Sequence, residues 1–208
     1  MRKGVLTVIS GFSGAGKGTL IRKLLERHDN YVLSVSKTTR APREGEVDGV
    51  SYFFTTVEDF EELAAHDGFL EHAQYCGNRY GTPRAFVEEQ LAKGKDVLLE
   101  IEMQGALQIR ERFPDALLIY VMTPDAEDLR IRMAGRGTES AEKVKERLRR
   151  AVAESDGIEA YEYIIVNDEV ERAADELHGV ILASRCAVKR NLAFIRKTHE
   201  KISAMYTD

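Results

Sequence analysis

The chain is 208 residues long, 43% hydrophobic and 31% charged, with a formal net charge of −5 at pH 7. That length buries a real core, as one domain or one domain with insertions, and the acidic balance argues against a nucleic-acid binder. No apolar run approaches the ~20 residues of a membrane span, and Cys76, Cys186 and five scattered histidines lack metal-ligand spacing, so a reduced, cytoplasmic protein is the simplest account.

Residues 5–10, VLTVIS, read as a short apolar strand that runs straight into a glycine loop, GFSGAGKGT, at 11–19; this is a strand and not a signal peptide. Residues 17–28 place Leu20, Leu24 and Leu25 on one helical face. YVLSVS at 31–36 reads as a second strand. The stretch 37–82 breaks the rhythm. Its segments TTRAPREGEVDGVSYFF and GFLEHAQYCGNRYGTP predict short strands and tight turns in a small inserted lobe, with one short helix near 57–66.

Beyond the lobe come a helix at 84–93, the strand DVLLEI at 96–101, a helix at 103–112 and the strand ALLIYVM at 116–122. Both strands are near-continuous apolar runs, the pattern of strands buried on both faces of a parallel sheet. A helix at 125–134 leads to GRGTESAEKVKERLRR, whose paired glycines and dense charge point to a mobile segment, with a helix over 139–155. YIIVN at 163–167 is a fifth strand, and a long helix starts near 170. The basic tail 185–208 is helical in pattern; a solvated or self-packing helix is the plain reading and an oligomer contact its rival. The alternation predicts an α/β fold in one domain, 1–208, with a five-stranded parallel sheet covered by helices. Its core would be 4–36, 83–134 and 158–208, with the lobe at 37–82 and a cover at 135–157.

Gly11, Gly16 and Lys17 fit the spacing G-x-x-x-x-G-K between a strand and a helix. Glycines let successive N–H groups converge on a phosphate, and the helix that follows adds its positive end. The loop Gly11, Phe12, Ser13, Gly14, Ala15, Gly16, Lys17, Gly18 and Thr19 is therefore expected to hold a nucleoside triphosphate, with Lys17 at the β- and γ-phosphates. Such loops usually follow the lysine with Ser or Thr to ligate Mg²⁺; here Gly18 stands there, and Thr19 is better placed for the α-phosphate. Mg²⁺ would then be held mostly by phosphates and water. Glu100 and Glu102 could help through water, as alternating residues at the C-terminal edge of an apolar strand, and no direct protein ligand is assigned.

The lobe supplies groups for a phosphate acceptor. Arg40 and Arg43 flank Pro42, and Tyr52 and Tyr80 lie on either side of the lobe. Arginine forks and phenol hydroxyls suit a phosphate monoester. Glu71 and Thr82 could complete a base pocket. One carboxylate accepts both N1–H and the 2-amino group of guanine, and a hydroxyl donates to O6, whereas adenine leaves the carboxylate unsatisfied; such discrimination can reach ~10⁴.

SVSKTTRAPREGEVDGVSYFF, FLEHAQYCGNRYGT, LLEIEMQGA and GRGTES, with the glycine loop, resemble the consecutive signatures of guanylate kinases, in family order from about residue 4 to about 184. The resemblance implies a P-loop nucleoside monophosphate kinase fold with a GMP-binding lobe and a mobile lid. It implies the reaction ATP + GMP → ADP + GDP, with dGMP a further acceptor. Carried over by match, Ser36, Glu71 and Thr82 face guanine, and Arg40, Arg43, Tyr52 and Tyr80 hold the GMP phosphate. Arg132, Arg136 and Arg147 match arginines that close over the transferring group, Glu102 matches an acidic position near GMP and magnesium, and Asn167 one near adenine. Phe12 replaces a usual proline, Thr82 a more frequent serine and Glu102 a usual aspartate.

Phosphoryl transfer asks the protein mainly for placement and charge neutralisation. Lys17, Mg²⁺, Arg40, Arg43, Arg132, Arg136 and Arg147 would supply the cations, and closure of 135–157 on both substrates would limit hydrolysis. Two other readings compete. One is a non-catalytic guanylate-kinase-like binding module, from which the lysine loop and lid arginines tend to be lost. The other is a kinase for another nucleoside monophosphate, against which Glu71 with Thr82 argues.

Overall fold

The computed structural model describes residues 3–135 and 141–206. Strand β1 (Leu6–Gly11) is buried along its whole length and feeds the loop before helix α1 (Lys17–Arg27). Strand β2 (Tyr31–Leu33) follows, then β3 (Lys37–Thr38), β4 (Phe53–Phe54), α2 (Val57–Ala65), β5 (Phe69–Tyr75) and β6 (Asn78–Pro83). The chain continues through α3 (Arg84–Ala92), β7 (Asp96–Glu100), α4 (Met103–Arg112), β8 (Leu117–Met122) and α5 (Ala126–Ala134). It ends with α6 (Ala141–Ser155), β9 (Tyr163–Val166), α7 (Val170–Arg185) and α8 (Leu192–Ala204).

Five strands form one parallel sheet in the order β2-β7-β1-β8-β9. Val97, Leu98 and Leu99 of β7 and Leu117 to Val121 of β8 are buried, which is why these strands read as unbroken apolar runs. The chain passes from β1 to one edge of the sheet and later crosses from β7 to β8 on the other side of β1. The carboxyl ends of β1 and β7 therefore flank a topological switch, where sheets of this kind place their ligands. A second sheet, β4-β3-β6-β5, is built within residues 37–83. It is anchored by Phe60 of α2 stacked on Phe69 of β5 at 4.5 Å.

Helix starts follow local chemistry. Thr56 Oγ1 accepts from the Asp59 N–H at 3.1 Å before α2, and Asp125 Oδ1 from the Asp128 N–H at 2.8 Å before α5. One element differs from the sequence expectation. The strand expected over 31–36 ends at Leu33; the Ser34 N–H makes one more ladder bond to the Leu98 carbonyl at 2.9 Å, and the chain then leaves for β3. The long helix expected from near 170 runs to Arg185, separate from the helix of the basic tail. There Asn191 Nδ2 donates to the Arg185 and Ala187 carbonyls, both at 2.9 Å, and a 3₁₀ turn at Val188–Asn191 redirects the chain into α8. The helix expected over 139–155 is described from Ala141, and its first two expected residues lie outside the described residues. Helix α8 buries none of its residues, with Phe194 and Ile202 among its exposed apolar side chains. Among the described residues no helix is long and apolar enough to cross a membrane.

An ion pair between a buried carboxylate and a half-buried arginine ties the far end of the sheet together. Asp96, fully buried at the start of β7, accepts from the Val5 N–H at 2.8 Å, Asn30 Nδ2 at 2.9 Å and the Arg185 guanidinium. Removing one member of such a pair strands the other charge and a buried N–H. Asp96→Ala is expected to cost ~3–5 kcal/mol of stability, read from the denaturant midpoint; a loss below ~1 kcal/mol would mean that water replaces the carboxylate.

Candidate active site

Lysine and glycines set the phosphate-binding turn. Gly14 and Gly16 take φ of +96° and +86°, a region that L side chains rarely adopt, and a Cβ on Gly16 would stand 2.5 Å from Asn167 Nδ2. The turn closes through the Ala15 N–H on the Phe12 carbonyl at 3.0 Å. Lys17 Nζ donates to the carbonyls of Gly11 at 2.6 Å and Phe12 at 3.3 Å, so its ammonium is held across the turn that it is expected to share with phosphate. Helix α1 begins at Lys17 with no side-chain cap, which leaves its first N–H groups facing the loop.

Two helices lean on this turn. The Met133 side chain of α5 packs on Gly14, where a Cβ would approach it to 3.2 Å. Arg132 is half-buried next to Met133 in α5. Arg147 of α6 donates from Nη2 to Ser13 Oγ at 2.7 Å, which brings one of the expected lid arginines onto the phosphate loop. Arg136 lies outside the described residues.

A cavity of about 510 Å³ opens beside the turn, between the carboxyl edge of the parallel sheet and the second sheet. Lys17, Ser36, Arg40, Arg43, Tyr52, Glu71, Tyr80, Glu100 and Glu102 all line it, so residues from both halves of the expected site meet in one space. Arg40 is held in place on several sides. It donates to the Ala41 carbonyl and to Glu46 Oε1, both at 2.7 Å, and its guanidinium sits 5.2 Å from the Tyr52 ring centre. Tyr52 and Tyr80 meet edge to face at 5.9 Å.

Glu71 and Thr82, expected to complete the base pocket, are buried. Glu71 is 3% exposed, and burial pushes its carboxyl above the ordinary range, against the hydrogen bonds from the Thr82 hydroxyl and backbone. Thr82 Oγ1 donates to Glu71 Oε1 at 2.6 Å. A hydroxyl has one proton, so in this arrangement Thr82 orients Glu71. On the other side, a Cβ at Gly105 of α4 would fall 2.3 Å from Glu71 Oε2. Gly105→Ala is therefore expected to displace the Glu71 carboxylate and raise KM for GMP by ~10-fold or more, with KM for ATP nearly unchanged. Steady-state kinetics with each substrate varied in turn checks it, and equal rises in both KM values would point to a general loss of fold.

At the acidic edge, a Cβ on Gly18 would lie 3.7 Å from Glu100 Oε2. The place where a P-loop serine would project its hydroxyl thus faces a carboxylate. The Glu100 side chain is open to the cavity but has protein around it. That enclosure raises its carboxyl above the ordinary range, while Lys17 pulls it down and Glu102 adds to the rise. Cavity water limits the size of these effects. Glu102 stands at the N-cap of α4 without capping it, leaving its carboxylate to the cavity. No cluster of three or more His, Cys, Asp and Glu suited to a metal occurs among the described residues.

Three further expected ligands are also engaged within the protein. The Phe12 side chain is buried edge-on to Tyr120 at 5.3 Å, so only its backbone is available to a nucleotide. Asn167 is 2% exposed, and its Nδ2 donates to the Ala15 carbonyl at 2.7 Å. It clamps the loop from behind, and its Oδ1 has no partner among the described residues. Thr19 is exposed and accepts from Arg22 Nη2 at 3.4 Å. Two carboxylates that line the cavity went unnoticed in the sequence: Glu46, inside the PREGE stretch, and Glu154 of α6. Only the place of Glu46 between two candidate arginines and a tyrosine could have singled it out.

Comparison with known proteins gives one answer over almost the whole chain. The family model described as Guanylate kinase matches residues 3–184. A guanylate kinase of Clostridioides difficile is 50% identical over 190 residues, covering 91% of this chain and 93% of that protein. One of Caldanaerobacter subterraneus subsp. tengcongensis is 44% identical over 200 residues, covering 96% and 97%. The crystal structure of guanylate kinase from Anaplasma phagocytophilum superposes with a TM-score of 0.76 at 36% identity, covering 93% of this chain and 94% of that one. With a lysine-bearing glycine turn, an arginine-lined cavity and these relatives, the chain belongs to the guanylate kinase family.

Proposed function

We propose that this chain transfers the γ-phosphoryl group of ATP to GMP, giving ADP and GDP, with dGMP a second acceptor. The observation that supports it most is the single cavity lined by Lys17, by Arg40, Arg43, Tyr52 and Tyr80, and by the buried Glu71. In this reading the glycine turn and Lys17 hold the ATP phosphates. Arg40, Arg43, Tyr52 and Tyr80 hold the GMP phosphate, and Glu71, oriented by Thr82, accepts the guanine N1–H and 2-amino donors. Ser36 borders the base.

The acceptor is already an anionic phosphate oxygen, so no general base is required; the barrier is repulsion between two anions and their alignment. Lys17, Arg40, Arg43, Arg132 and Arg147 would spread that charge, with Arg136 added from outside the described residues. Residues 37–82 act as the acceptor lobe and 135–157 as the lid, of which α6 carries Arg147. Mg²⁺ fits the acidic edge. When bound with ATP it neutralises phosphate charge, and Glu100 and Glu102 would hold it through water while Gly18 leaves the room. Asn167 would serve the adenine side indirectly, through the loop it clamps.

An ADP-release assay with ATP and each of GMP, dGMP, AMP and UMP tests the reading. Turnover with GMP far above AMP and UMP is expected. A preference for AMP would indicate another nucleotide kinase, and no turnover of any acceptor would indicate a binding module; Lys17, Arg40 and Arg147 argue against the latter.

A further inference from the structure

Glu46 holds the two arginines assigned to the acceptor phosphate. Its Oε1 accepts from Arg40 Nη2 at 2.7 Å, and its Oε2 accepts from the Arg43 backbone N–H at 2.8 Å. The Glu46 N–H in turn donates to the Arg43 carbonyl at 3.1 Å, closing the turn 43–46 on itself. Both side chains of the Arg40–Glu46 pair are largely shielded, 13% and 21% exposed. The arginine pulls the Glu46 carboxyl below its ordinary range, so Glu46 is ionised at neutral pH.

Arg40 has five N–H donors in a rigid fork. One hydrogen goes to Glu46 and one to the Ala41 carbonyl, while Tyr52 and Phe54 lie 5.2 and 5.9 Å from its guanidinium carbon. The Tyr80 phenol also interacts with the guanidinium, and the donors left over can meet an anion in the cavity. Two effects of Glu46 then oppose each other. Its negative charge repels an incoming phosphate. Its two hydrogen bonds fix a long, rotamer-rich side chain and a turn before the phosphate arrives, removing an ordering cost from binding. The pair is shielded and bridged to both arginines at once, which favours order over repulsion.

Building on the function proposed above, we infer that Glu46 is a positioning residue for the acceptor phosphate: its carboxylate bridges the Arg40 guanidinium and the Arg43 turn and presets their phosphate-binding geometry. It touches no substrate itself, so its effect must follow the phosphate and not the base.

Glu46→Ala and the near-isosteric Glu46→Gln test this by calorimetric binding of GMP and of guanosine, which lacks the phosphate. Glu46→Ala should weaken GMP about 10- to 100-fold while guanosine binding and KM for ATP stay within about twofold. Glu46→Gln should fall between parent and Ala, because its amide oxygen keeps Arg40 while its NH₂ group opposes the Arg43 N–H. Equal weakening of GMP and guanosine would overturn the proposal in favour of general damage to the lobe. Unchanged or tighter GMP binding would overturn it in favour of simple repulsion. Should the Ala variant fail to fold, the Gln variant decides by the same ratio. The parent protein separates the two levels: failure of the parent to bind GMP at all would count against the proposed function and not against the bridge.

Discussion

Lys17→Ala is expected to lower turnover of GMP with ATP by ~10³-fold or more, with little change in stability. The ammonium lies 2.6 Å from the Gly11 carbonyl and 3.3 Å from that of Phe12, at the point where the glycine turn, α1 and Arg147 converge on one space. In the reading proposed it faces the place where negative charge shifts between donor and leaving oxygens. Its loss is felt most in the transition state, so kcat should fall more than either KM rises. The fold should tolerate the change. Lys17 is half-buried and its two carbonyl partners can turn to water, a cost of ~1 kcal/mol. Thermal unfolding followed by circular dichroism should therefore nearly coincide with the parent. Turnover within a few-fold of the parent would mean that this turn does not hold the transferring phosphates.

How much of this was legible in the sequence depended on how far apart the partners lie. The glycine turn could be read directly, because spacing, strand and helix are all local. The strands at 96–101 and 116–122 were legible because burial on both faces leaves an unbroken apolar run, here Val97–Leu99 and Leu117–Val121. The residues 31–36 misled. YVLSVS reads as a strand, yet after one last ladder bond from the Ser34 N–H the chain leaves the sheet to reach the lobe, a choice made by tertiary geometry and not by local propensity.

Long-range pairings were invisible. Asp96 and Arg185 are 89 residues apart, and no periodicity marks them as one ion pair. The Asn167 amide donates to the Ala15 carbonyl 152 residues away, a clamp that no local pattern announces. Composition cannot show that the Thr82 hydroxyl orients the Glu71 carboxylate. Gly105 was visible as a glycine without its reason, which is the Glu71 carboxylate lying against it.

Glu71→Gln is expected to separate stability from recognition. The carboxyl is buried and its titration raised in the folded protein above the 4.5 of the free side chain, with burial the leading cause. An acid raised in this way costs stability once it ionises: the cost is absent below the unfolded value and fully present above the folded one. At neutral pH the Gln variant, which keeps an oxygen for Thr82 and sheds the charge, should be no less stable than the parent. The difference between the two should shrink on acidification toward the unfolded value. Recognition should move the other way. The amide oxygen can accept one guanine donor, but its NH₂ group opposes the other, leaving buried donors unpaired, and kcat/KM for GMP should fall ~10²–10³-fold. The parent should also show KM for GMP rising as pH falls through the raised carboxyl titration, beginning at a higher pH than an ordinary glutamate would allow; the Gln variant should lack that limb. KM for GMP across the acidic range, with AMP as the competing acceptor, measures both. An unaltered preference for GMP over AMP in the variant would remove Glu71 from the base pocket, and a variant markedly less stable than the parent at neutral pH would show that the buried carboxylate stabilises the fold it is expected to burden.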